Sequence, residues 1–453
     1  MLLQTIADYA VREQSSTLTP EVVHHAKRAV IDWHAALLPG SIVAPATLLE
    51  QALGEDLDRG RARLASGRRA TLRAAALING AASHSVEFDD IYRDAGYHPG
   101  SPVIAAALAT AQAHGLDGDT FLRGVIVGYE VSTRIGEAVM PSHYRFWHTT
   151  GTVGAFGAAA AAATVLRLNH EQFMHAVATV GTFAAGLKQA FLSQAMSKPL
   201  HGGHAADAGV LAALAAGKGV TGALDILEGR EGFGAAMSVD PDWAKATRGL
   251  GRDYHIVHVT FKNHGCCGHT FPAIDGALHL KHAHGFAHGD IRRVRLATYK
   301  AGLDIIDNPR PEGEYQAKFS LQYTVAHALV HGSVRLNAFL PERMRDAAVR
   351  ALMEKIECVA DPELSKGYPG QRAAQVEIET ADGRKFAHFQ PYRKGDPELP
   401  LTDEELNDKF LELASPVLGD ARARALLAEL WSTDKLACVD YDLASRAPVR
   451  AAG

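Results

Sequence analysis

A mainly α protein, with one large all-helical domain and a smaller α+β domain, is predicted by three observations. Residues 1 to about 262 read as helix after helix. Strict alternation of apolar and polar residues begins only near 290, and a helix-capping signature at 402 returns the chain to helix. The expected organisation is a helical domain at 1–262, an α+β domain at 263–398, and a tail, 399–453, that rejoins the first domain.

In LTPEVVHHAKRAVIDWHAALLPG, Thr19 caps, Pro20 suits the first turn, and Val22, Ala26, Ala29, Trp33 and Leu37 share one face, with Gly40 as the stop. Further helices are expected at 69–84, 102–114, 119–138, 152–167, 170–186, 204–217 and 221–227. Two of these, TVGAFGAAAAAATVL and HAADAGVLAALAAGKG, are built of small residues, which let helices approach closely. Both belong deep in a bundle.

From 290 the texture changes. RRVRLATYK alternates as a half-buried strand, and AAQVEIETADGRKFAHF reads as a hairpin turning at Asp382-Gly383. Helical pieces at 272–284, 320–330 and 341–354 accompany them. Thr402 and Glu405 then form the two ends of a capping box.

Hydrophobic residues make up 47% of the 453 and charged residues 21%, an ordinary globular balance. The net charge of −5 gives nucleic acid or an acidic membrane no electrostatic hold. The N-terminal stretch lacks the basic and apolar regions of a secretory signal, and no apolar run spans a bilayer. Four cysteines are too few for a disulfide scaffold and suit a reducing cytoplasm. No nucleotide-binding glycine motif or nucleophile elbow is present, and the adjacent Cys266 and Cys267 lack zinc-ribbon spacing. We therefore expect a cytoplasmic protein with no metal or organic cofactor, no nucleic acid and no membrane partner.

Histidine is abundant, at 23 residues, and it concentrates before predicted helix starts. HSVEFDDIYRDAGYHPGSPV carries Glu87, Asp89, Asp90 and His98. YRFWHTTGT carries His148 and the hydroxyls of Thr149, Thr150 and Thr152, while MSKPLHGGHAADAG carries Lys198, His201 and His204. FKNHGCCGHTFPAIDG carries Lys262, His264 and His269. Helix N-termini expose unpaired N–H groups and a partial positive charge, so they favour carboxylates. Converging, these segments would bind a di- or tricarboxylate among groups able to move protons. His143, His170, His255 and His258 read as packing or surface residues.

The same segments resemble the MmgE/PrpD family, which contains 2-methylcitrate dehydratase, cis-aconitate decarboxylase and iminodisuccinate epimerase. The resemblance runs through HSVEFDD…HPGSPVIAAALA, HTTGTVGAFGAAAAAATVL, MSKPLHGGHAADAGVLAALAA, TGALDILEGREGF, CCGHTFPAIDGAL, AKFSLQY and KGDPELPLTDEELNDKF. It implies a helical domain with an α+β lid, a homodimer, a site between the domains, and chemistry without metal or organic cofactor.

By position, His98, His148 and Lys198 match the family's active-site residues. Asp90 and Tyr323 lie in motifs that contribute to the site. Glu87 stands where Asp is common, Ile91 where decarboxylases often have Thr, and Phe271 where a histidine is usual, with His269 two residues earlier.

The expected chemistry is proton transfer at a carbon next to a carboxylate, with Lys198 and His148 stabilising charge. His98 is the acid or base, tuned by Asp90 or Glu87. Glu87, Thr149, His201, Lys262, His269 and Tyr323 are expected to bind substrate. A hydro-lyase acting on a hydroxylated di- or tricarboxylate is the first reading. An isomerase or epimerase on the same site is the alternative, and a non-catalytic carboxylate-binding protein is a third.

Overall fold

The computed structural model describes residues 1–193, 195–368, 370–441 and 443; the end of the expected returning tail, 444–453, lies outside them. The protein is mainly α, with short sheets. The chain folds into two compact units, Met1–Thr260 with Thr402–Gly453, and Phe261–Leu401.

The larger unit is built around the helix Thr149–Val165, every residue of which is buried. Around it pack Gly118–Val139, Gly100–His114 and Ser197–Ala216. Small side chains set these distances. A Cβ on Gly203 would lie 2.2 Å from the Leu77 carbonyl oxygen, so only glycine lets Ser197–Ala216 lie against Leu72–Ser83.

The helix Pro20–Ser41 starts as its sequence indicates: the Thr19 hydroxyl accepts from Val22 N–H at 3.3 Å, and the Val22-Ala26-Ala29-Trp33-Leu37 face is buried. The helix Asp403–Leu418 opens with a reciprocal capping box between Thr402 and Glu405 and returns to this unit. Its Lys409 ammonium is fully buried, 2.5 Å from Asp32 and 3.0 Å from the Phe88 carbonyl oxygen. No single helix among the described residues is long and apolar enough to cross a membrane.

Three local readings are corrected. The stretch 69–84 begins as strand: β1 (Leu57–Arg63) pairs antiparallel with β2 (Arg69–Ala70), and helix starts only at Leu72. Residues 221–227 form turns, because a Cβ on Gly222 would meet the Thr179 nitrogen at 2.6 Å and the chain runs against a neighbouring helix end there. The helix expected from 204 starts at Ser197, with Pro199 tolerated in its first turn.

The smaller unit carries a four-stranded sheet in the order β4-β3-β5-β6. Strand β3 is Ile291–Thr298, β4 is Ile356–Ala360, β5 is Ala374–Thr380 and β6 is Lys385–Gln390. The β5–β6 hairpin turns through Asp382 and Gly383, with Gly383 at φ 88°. Strands β3 and β4 are parallel, and the connection between them contains Leu321–His331 and Ala347–Met353. Phe271, Ile274, Leu296, Tyr323 and Val376 centre the core of this unit.

Candidate active site

Three of the four expected segments meet in the larger unit, each at a helix end. His84 closes the helix Leu72–Ser83, and His98 precedes Gly100–His114. His148 caps Thr149–Val165, and Lys198 lies in the first turn of Ser197–Ala216.

Asp89 is the hub. Its Oδ2 lies 2.6 Å from His84 Nδ1 and 3.2 Å from His98 Nδ1. Burial alone would raise its carboxyl, but the two histidines outweigh that and hold it well below the usual carboxylate range. Ionised, it can only accept, so a histidine nitrogen bonded to it carries the proton. His84 is fully buried and Asp89 is 1% exposed, while the His98 side chain is 14% exposed.

His84 Nε2 and Asp89 Oδ1 have no hydrogen-bond partner although both atoms are buried. Orphaned polar atoms at such a depth are costly, and they mark places where a ligand completes the bonding.

The same three residues offer one ligand atom each within 4.8 Å of one another, a set able to hold a metal ion. Ligands about 2.0 Å from a tetrahedral ion stand about 3.3 Å apart. The 2.6 Å separation of His84 and Asp89 is that of a hydrogen bond, and the pair is arranged around a proton.

Around this hub the rings continue. His84 stacks on His148 at 5.4 Å between centroids, and His148 shares a 3.0 Å Nδ1–Nδ1 hydrogen bond with His201. Burial, reinforced by neighbouring histidines and Lys198, holds His148 well below its ordinary pKa. His201 falls to about 4 for the same first cause. Both are neutral at pH 7, so His148 is a hydrogen-bonding group rather than the cation expected of it.

The cation is Lys198. Burial would lower its ammonium, but pairing with Glu87 more than compensates and raises it. It also faces the Phe191 ring at 5.1 Å. Glu87 has φ 60°, a left-handed conformation uncommon for a residue with a side chain, beside the hub. A cleft of about 550 Å³ opens beside His201, lined also by Gly186, Ser197 and His204, a volume suited to a small ligand.

The other expected residues are placed differently. Asp90 faces away from the histidines, accepting from Tyr129 OH at 2.7 Å and Gly100 N at 3.0 Å; burial and the nearby Asp32 raise its carboxyl well above the usual range. A Cβ on Gly100 would lie 2.9 Å from Asp90 Oδ1, so the HPG glycine permits this contact. Asp89, not Asp90 or Glu87, is thus the carboxylate on His98. Thr149 is fully buried and donates to the Gly96 carbonyl at 2.5 Å, while the Thr150 hydroxyl accepts from His98 N at 3.3 Å.

Lys262, His264, His269 and Tyr323 belong to the smaller unit. Tyr323 is in its core, donating to the Ala338 carbonyl. His264 pairs with Asp275 at 2.9 Å, Lys262 is buried, and His269 Nδ1 lies 2.5 Å from Tyr299 OH. Sequence reasoning did not select His84 or Tyr129. His84 opens the very motif HSVEFDD, but a lone histidine at a helix end carries no signal until the fold sets it on Asp89.

Comparison with known proteins fits this arrangement. Residues 4–246 match the MmgE/PrpD N-terminal domain and residues 264–433 the MmgE/PrpD C-terminal domain, the second match running past the smaller unit into the returning helices. The chain is 27% identical to a cis-aconitate decarboxylase-like protein of Aspergillus oryzae, over 97% of this chain and 96% of the relative. It is 29% identical to cis-aconitate decarboxylase of Homo sapiens over 76% of this chain and 73% of that one. A shorter match, 32% identical over 26% of each chain, is to 2-methylcitrate dehydratase of Salmonella typhimurium. With both domain models matched in order and together covering most of the chain, this protein belongs to the MmgE/PrpD family.

Proposed function

We propose that the protein is a lyase that dehydrates a small hydroxylated di- or tricarboxylate by proton transfer at the carbon beside a carboxylate, without metal or organic cofactor. The observation that carries this reading is one ionised, buried carboxylate holding two imidazoles beside a paired ammonium.

His98 is the base. With Nδ1 turned to Asp89, its Nε2 lone pair takes the proton, and Asp89 stabilises the imidazolium that forms. Lys198 neutralises the substrate carboxylate as charge develops on it. The proton that His98 has taken passes to the departing hydroxyl, which leaves as water and returns the imidazole to neutral, while the neutral His148, linked to His201 and through it to the cleft, holds that hydroxyl by a hydrogen bond.

A second reading, decarboxylation, is favoured by the names of the relatives that match over most of their length. Both reactions pass through charge delocalised onto a carboxylate, so the same groups serve either. Isomerisation of a dicarboxylate would need a base on each face of the carbon; His84 and His98 share one carboxylate, and that alternative is tested alongside.

The experiment is a panel of hydroxylated di- and tricarboxylates and their unsaturated acids, followed in deuterated water. Growth of double-bond absorbance from a hydroxy acid is the expected result. Release of carbon dioxide without it supports the second reading, deuterium uptake with inversion supports the isomerase, and silence across the panel overturns catalysis. His98→Ala is expected to lower kcat by roughly 10²- to 10⁴-fold with an unchanged circular dichroism spectrum. The proposed homodimer is checked by light scattering.

A further inference from the structure

The smaller unit contains a guanidinium that, among the described residues, has no ion-pair partner of its own. Arg372, just before β5, makes no hydrogen bond or ion pair among the described residues, and its Nε is a buried atom without a partner. A guanidinium keeps its proton under all ordinary conditions, so it cannot escape burial by becoming neutral. A partly buried charge whose Nε has no partner costs stability, and such a feature is expected where a ligand uses it.

Arg393 shows the contrast. It is 1% exposed, yet its fork is closed by Asp396 through two hydrogen bonds of 2.8 and 2.6 Å. The fold thus pairs Asp396 directly with Arg393, while Arg372 feels that carboxylate only from a distance.

What surrounds Arg372 is also organised. The Tyr368 ring is the common wall: the Arg372 guanidinium lies 5.9 Å from its centroid, the Tyr299 ring stacks on it at 5.0 Å, and the His269 ring stands 6.4 Å away. Tyr299 is fully buried, while His269, Tyr368 and Arg372 are half-buried. The group is therefore partly open to solvent, with Tyr299 as its buried member. His269 is neutral, lowered to about 3 by burial first and then by Arg372 and Arg393. It sits 2.5 Å from Tyr299 OH, and the hydrogen-bonded pair keeps one neutral donor free beside the fixed charge.

We propose that Arg372, with His269 and the Tyr299–Tyr368 pair, forms an anion site in the smaller unit that takes a carboxylate group. A planar fork matches the two oxygens of a carboxylate. The choice of a carboxylate over another oxyanion rests on the function proposed above; the anion site itself does not.

The test measures thermal unfolding and calorimetric binding with two probes, tricarballylate and inorganic phosphate, at matched ionic strength. The protein is compared with Arg372→Met, which keeps the apolar stem against Tyr368, and with Arg372→Lys. The expected result has two parts. Without anion, Arg372→Met melts at or above the temperature of the parent, since it removes an uncompensated charge. With tricarballylate, its Kd is weaker by roughly tenfold to hundredfold, while Arg372→Lys retains part of the affinity.

Unchanged tricarballylate and phosphate binding in Arg372→Met overturns the site. Arg372-dependent binding of phosphate with no tricarballylate binding by the parent keeps the anion site and overturns the carboxylate assignment. A parent that turns over no carboxylic acid yet binds tricarballylate through Arg372 overturns the function proposed above and leaves this site standing.

Discussion

At the scale of single residues, one carboxylate organises the histidine cluster. One oxygen of Asp89 lies 2.6 Å from His84 Nδ1 and 3.2 Å from His98 Nδ1. Asp89→Asn keeps the shape and removes the charge, so kcat is expected to fall by roughly 10²-fold or more. The acid limb of the pH profile of kcat/KM moves to lower pH, because an imidazole without a neighbouring anion binds its proton less tightly. A merely structural role would lower the melting temperature and leave that limb where it was. His98, His148 and Lys198 were singled out in the sequence because each stands near an expected helix start, and the fold places each at a helix end. The choice of Asp89 over Asp90 was not. Two adjacent acids in a loop project differently, and only the turn of the chain at Glu87, with its positive φ, fixes which one reaches the histidines.

At the scale of elements, the sequence announced those with strong periodicity or chemical caps and hid those shaped by neighbours. Pro20–Ser41 and Asp403–Leu418 start where Thr19 and Thr402 cap them. The early start of Ser197–Ala216 was masked by Pro199, Gly202 and Gly203, residues that local propensity counts against helix and that the approach to Leu72–Ser83 requires. Strand β4 was missed because Ile356–Ala360 is short and partly exposed along its length, which leaves no clean alternation. The hairpin of β1 and β2 was missed because its charged stretch DRGRAR buries little beyond Leu57 and Ala62. The Asp32–Lys409 pair makes an element-scale prediction. Lys409→Met strands a buried carboxylate and is expected to destabilise the protein by about 3–5 kcal/mol in urea unfolding, whereas the exposed cap variant Thr402→Ala costs about 1 kcal/mol.

For the whole molecule, the histidine content becomes a stability property. Burial lowers His34, His143, His201 and His327 to about 4, and His255 and His269 to about 3. Folded, these rings stay neutral where the unfolded chain, titrating near 6.5, already binds protons. The unfolded state therefore holds more protons between those values, and stability falls as pH drops from about 6.5 toward 4. His34, fully buried, accounts alone for about 3 kcal/mol over that interval. The melting temperature is expected to decline steeply below pH 6.5, and His34→Gln is expected to flatten part of that decline. A melting temperature constant between pH 7 and 4.5 would contradict the neutral, buried state of these rings.

The hold of Lys409 on the Phe88 carbonyl has an implication for synthesis on the ribosome. Phe88 sits between Glu87 and Asp89, so the loop bearing both carboxylates is tied down by a residue more than three hundred positions further along the chain. During translation the histidines and acids emerge early, but the clasp that orders them emerges only after the entire sheet-bearing unit has been made. The nascent larger unit lacks the Lys409 contact to Asp32 until the helix Asp403–Leu418 docks. Catalytic competence is therefore a late event in the life of each copy. A chain stopped before Thr402 is expected to be inactive and aggregation-prone even though it contains every residue assigned to the chemistry.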